Sequence, residues 1–91
     1  MVTLRGLPGA DLVEQGLCDL AAGQESVLAL LISIGAPRLR QVGIEVRAPL
    51  PSPEHRLYLR LQEADPDGAH SQYNALVRRL VSFERAAACA R

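Results

Sequence analysis

His55 and His70 are the only histidines in the 91 residues, so acid–base and metal chemistry would have to be built around them. Asp67 lies one helical turn before His70, with Glu63 and Asp65 close by in sequence. A carboxylate beside an imidazole can hold and pass a proton near neutral pH, so His70 with Asp67 or Glu63 is the arrangement an enzyme would use here. The same acids with both histidines could be drawn as a metal site. Neither drawing has the spacing such sites use, because a HExxH segment and paired-cysteine motifs are both missing. Both histidines also fall in the first turns of expected helices, where exposed polar residues are ordinary. The sequence therefore leads to no catalytic residue, no metal site and no cofactor, and an enzyme using His70 with Asp67 is the third of three functional readings.

Other nucleophiles and phosphate-binding patterns add nothing to that reading. Ser26, Ser33, Ser52, Ser71 and Ser82 lack the GxSxG turn that exposes a catalytic hydroxyl. Ser52 is better explained as a helix cap, and Ser33 as a small residue in a buried helix. "GLPGADL" has two glycines but neither GxGxxG nor GKS. Cys18 and Cys89 are far apart and form no CxxC, so free thiols in a reducing cytoplasm are expected. Met1–Gly9 lacks the basic start and apolar run of an export signal, and the apolar run Val27–Ile34 is too short to span a bilayer.

All ten basic residues are arginine, and they balance ten acids, so no general affinity for nucleic acid is indicated. The charge is segregated along the chain. Residues 1–37 and 61–70 are each net −3, while 38–60 and 71–91 are each net +3. Such blocks can pair within a bundle or between chains, although acid near helix N-termini and base near C-termini gives the same pattern on solvated faces. A small nucleic-acid-binding regulator using Arg38, Arg40, Arg78 and Arg79 is the second reading. Arg38 and Arg40 would sit on a short helix after a turn at Gly35, in helix–turn–helix order. That helix has only about six residues before Gly43, too few to lie along a major groove.

The elements that position these residues follow from punctuation and periodicity. Nearly half the residues are apolar, but only Tyr58, Tyr73 and Phe83 are aromatic, so the core must be aliphatic. The length allows one domain, residues 1–91, with a thin margin of stability. A first helix is expected from Ala10 to Ala22, with Ala10, Val13, Leu17 and Leu20 inward, Gly23 as stop and Gly16 at a close helix contact. A central buried helix follows from Gln24 to Ile34 and stops at Gly35; a short one runs from Pro37 to Val42. Residues 43–53 hold three prolines and form a linker between two helical halves. Ser52, Pro53 and Glu54 then start a fourth helix through Ala64, and Asp65, Pro66 and Asp67 start a fifth. The expected fold is an all-α, five-helix bundle with a long C-terminal helix. The alternative is α+β, with "GIEV" and "RLYLRL" forming a short hairpin from 44–48 and 56–62.

The last helix carries Ala69, Tyr73, Leu76, Leu80, Phe83, Ala87 and Ala90 at alternating spacings of four and three. Val77 and Val81 widen that seam beyond what one facing helix covers. The excess points to a second copy. The first functional reading is thus a cytoplasmic helical interaction module, a homodimer without catalysis, which could also bind another protein. Its contact would use Val77, Arg78, Val81, Arg85 and Ala88.

Overall fold

A computed structural model describes residues 6–90, the side chain of Ala90 excepted. The first five residues and Arg91, including Arg5 and most of the segment read for an export signal, lie outside the described residues. Four helices follow one another: α1 (Ala10–Ala21), α2 (Val27–Gln41), α3 (Pro53–Ala64) and α4 (Ala69–Ala90). Among the described residues there is no strand, so the α+β alternative is set aside. Leu59 explains the choice. An alternating strand would treat Leu57, Leu59 and Leu61 alike, whereas Leu57 and Leu61 are buried and Leu59 is 42% exposed, as helical spacing requires.

The expectation of five helices is corrected to four, and the missing break lies at Gly35 and Pro37. The helix expected to stop at Ile34 continues to Gln41. Proline removes one backbone donor, and a single such loss is tolerated when the rest of the helix is held by packing. Gly35 stays helical because its role is contact rather than termination. A Cβ built there would lie 2.8 Å from Leu80 Cδ2 and 3.0 Å from Glu84 Oε2, so α4 approaches α2 over a missing side chain. The true stop is Gly43, at φ 89°. Ile44 N–H donates to Leu39 C=O at 2.9 Å and Gly43 N–H to Arg40 C=O at 3.1 Å, the pair of bonds that closes a helix over a left-handed residue.

The start of α2 is also later than expected. Ser26 caps it, its Oγ accepting from Ala29 N–H at 3.1 Å and donating to Asp19 Oδ2 at 2.6 Å. At the other end of the molecule the expected Ser52 cap is not made. Ser52 occupies the N-cap position of α3 at φ 46°, with no side-chain bond to the helix, and Pro53 supplies the start alone. Asp65 closes a turn ahead of the helix instead of capping one that begins near Asp67, its Oδ1 accepting from Gly68 N–H at 3.2 Å, and α4 begins at Ala69.

α2 is the centre of the packing, as its nearly all-round apolar sequence implies. Ala29 through Ser33 are all buried. α1 packs on it through Gly16, where a Cβ would collide with Ile32 and lie 2.7 Å from Leu28 C=O. α3 and α4 pack on α2 and on each other. The edge-to-face rings of Tyr58 and Tyr73, 6.0 Å apart, join α3 to α4. The proline-rich connection is part of the same body. Ile44 and Val46 belong to the buried cluster, Arg40 donates to Val46 C=O at 2.7 Å, and Leu50 N–H donates to Ser33 Oγ at 2.9 Å. The segregated charges meet across elements: Asp11 with Arg79 at 3.7 Å, and Glu25 with Arg56 at 2.5 Å and Arg60 at 3.7 Å. These pairs are well exposed and add little to stability.

Candidate functional site

α4 is long for the body that carries it. Its 22 residues run about 33 Å at the usual helical rise, against a longest molecular dimension of 38 Å. Of the expected inward seam, Ala69, Leu80, Phe83 and Ala87 are buried, and Tyr73 and Leu76 are half-buried. Ala90 closes the seam in sequence, but its side chain lies outside the described residues. On the adjoining flank Val77 and Val81 are half-buried, while Arg78, Arg85 and Ala88 are exposed. Two adjoining troughs run between this flank and α2. One is lined by Ile34, Pro37 and Arg38 with Val77, Val81 and Glu84; the other by Pro37, Arg38 and Gln41 with Glu84, Arg85 and Ala88.

Glu84 is common to both troughs and was not among the residues singled out from the sequence. It is only 6% exposed. Its Oε2 is buried with no hydrogen-bond partner, and it would lie 3.0 Å from a Cβ on Gly35. Burial pushes the carboxyl above the usual range, and the nearby Arg38 guanidinium pulls it partly back. A signal for this burial was present in the sequence. The residues three and four positions away on either side, Leu80, Val81, Ala87 and Ala88, are all apolar, so Glu84 stands inside the wide apolar arc rather than opposite it.

The other candidate residues are dispersed. His55 and His70 are both exposed, and His70 Nε2 is 3.2 Å from Asn74 Nδ2 rather than paired with Asp67 or Glu63. Among the described residues no three His, Cys, Asp or Glu side chains are grouped as a metal would require. Of the four arginines proposed for nucleic acid, Arg40 is bound to the Val46 carbonyl and Arg79 to Asp11. The short helix that would have carried Arg38 and Arg40 is the last part of α2, so the helix–turn–helix order is not formed there.

Comparison with known proteins gives no further guide: no family model, curated protein or solved structure matches the chain. Among the described residues no helix is long and apolar enough to cross a membrane. What the described residues define is an all-helical body with a partly open seam between α2 and α4.

Proposed function

We propose that this chain is a small helical interaction module that pairs with a second copy of itself through the outer flank of α4, and that it performs no catalysis. The observation that carries the reading is the incomplete cover over Val77 and Val81. Both valines remain partly exposed and line a trough against Ile34 and Pro37, although α4 packs on both α2 and α3. Apolar surface left partly in water gains free energy when a partner removes it from water. A chain this small also has a thin margin of stability, which association raises by mass action. The reading includes a reducing, cytoplasmic setting, supported by Cys18 and Cys89 both being free and exposed.

The test is the mass in solution by light scattering, for the natural chain and for Val81→Arg. The natural chain is expected at twice 9.8 kDa and the variant at 9.8 kDa, with both retaining the same helical circular dichroism. A natural chain that stays at 9.8 kDa at millimolar concentration contradicts the proposal.

A further inference from the structure

We infer that the Glu84 carboxylate is the acceptor for an arginine guanidinium of the second copy, so that the paired chains complete a hydrogen-bonding site each leaves unfilled alone. The inference rests on the dimer reading above and deepens it. A buried oxygen without a donor is rare in folded proteins because its lost hydration is not replaced. Glu84 Oε2 is such an oxygen. Its own chain brings Arg38 near enough to act on it electrostatically, but no hydrogen bond forms between them.

Three donors stand unused on the same side of the molecule. Arg38, Arg78 and Arg85 are exposed, and none makes a hydrogen bond or ion pair among the described residues. One flank therefore holds both a buried acceptor lacking a donor and guanidiniums lacking an acceptor. A patch carrying both halves of a contact can meet a copy of itself across a two-fold axis, each copy donating and accepting once. The aliphatic walls of Ile34, Val77 and Val81 exclude water from the contact, which strengthens a charge-assisted hydrogen bond formed there.

Other occupants fit the charges less well. An acidic peptide would satisfy the exposed arginines but would bring a second negative group to a buried carboxylate. A foreign cation would have to pass the three arginines while offering them nothing. A second copy supplies the donor Glu84 lacks, and its remaining guanidiniums point to solvent at the rim, where salt screens their repulsion.

The experiment is sedimentation equilibrium on the full chain, on Glu84→Gln, on Arg38→Gln, Arg78→Gln and Arg85→Gln, and on each arginine change combined with Glu84→Gln. Glu84→Gln keeps the side-chain shape, and the arginine changes are at exposed positions, so folding is not at stake in all of them. Glu84→Gln is expected to raise the dimer dissociation constant about ten- to hundredfold, because the amide oxygen still accepts in each copy but loses the charge assistance of both bonds. One of the arginine changes should weaken the dimer similarly and add nothing further in the Glu84→Gln background. If the natural chain dimerises but Glu84→Gln leaves the constant unchanged, or if all three arginine effects are additive with it, this inference is overturned while the Val81 seam stands. A natural chain that never dimerises removes the dimer reading itself, and this inference with it.

Discussion

The contacts that α2 makes with α1 and with α4 are built on the same device and finished differently. Each uses a helical glycine to bring a neighbour close, Gly16 for one and Gly35 for the other. At Gly16 the space is filled by Ile32 and by the Leu28 backbone, an apolar and rigid closure. At Gly35 it is filled by the ends of two flexible side chains, Leu80 and Glu84, and the second of these is an acid without a donor. Packing that serves only the fold has no use for a buried carboxylate, because an apolar side chain of similar volume does the same work without losing hydration. The difference separates a contact closed by apolar groups from one closed in part by a carboxylate without a donor.

That contrast is broken most severely at the first glycine. Gly16→Ala places a methyl against backbone and a core isoleucine, and is expected to lower stability by about 2 kcal/mol even after the gain in helix propensity. Gly35→Ala meets only side-chain ends that can swing aside, so its net effect should stay within about 0.5 kcal/mol of zero. Urea denaturation of both variants at low protein concentration checks the pair. Equal losses would show that the two contacts are alike after all.

Glu84 sharpens the comparison through pH. Its carboxyl titrates above the usual carboxylate range in the folded chain, because burial disfavours the charge. Between the unfolded and folded values the unfolded state has already lost its proton while the folded state keeps it, so the stability this group contributes is present at low pH and falls as pH rises. Arg38 is the charged group on α2 that opposes the shift. Denaturation of dilute, monomeric chain across pH 4 to 7 should show that decline, and Glu84→Gln should remove it. Asp19 acts with the opposite sign. Hydrogen bonds from Ser26 and Gln15 hold its carboxyl below the usual range, so its contribution is lost as pH falls. At the same place Ser26→Ala removes the α2 cap, whose loss should cost about 1 kcal/mol by thermal or urea unfolding, and with it the donor to Asp19.

The parts of this molecule that were legible in the sequence are those set by neighbouring residues. The extent of α1, its stop at Gly23, the close contact at Gly16 and the helical state of α3 all follow from local spacing and turn chemistry. Gly35 and Pro37 misled because their pattern is also that of a helix end followed by a helix start. Only the presence of Leu80 against Gly35 makes the glycine a packing residue, and that neighbour is 45 positions away in sequence. Ser52 had the residue type for a cap but not the conformation, since it stands in the left-handed region at φ 46°, where its side chain makes no bond to the helix. The excess apolar width at Val77 and Val81 was readable from periodicity. The acid lying beside them was not recognised, because a glutamate next to Arg85 looks like an exposed pair until the apolar residues one turn to either side are counted.

The claim that α4 and α2 leave one seam for a second copy is tested most directly by following backbone amide resonances from micromolar to millimolar protein. Concentration-dependent shifts confined to residues 34–41 and 77–88 are the predicted result. Shifts centred on another surface, or none over that range, would contradict it.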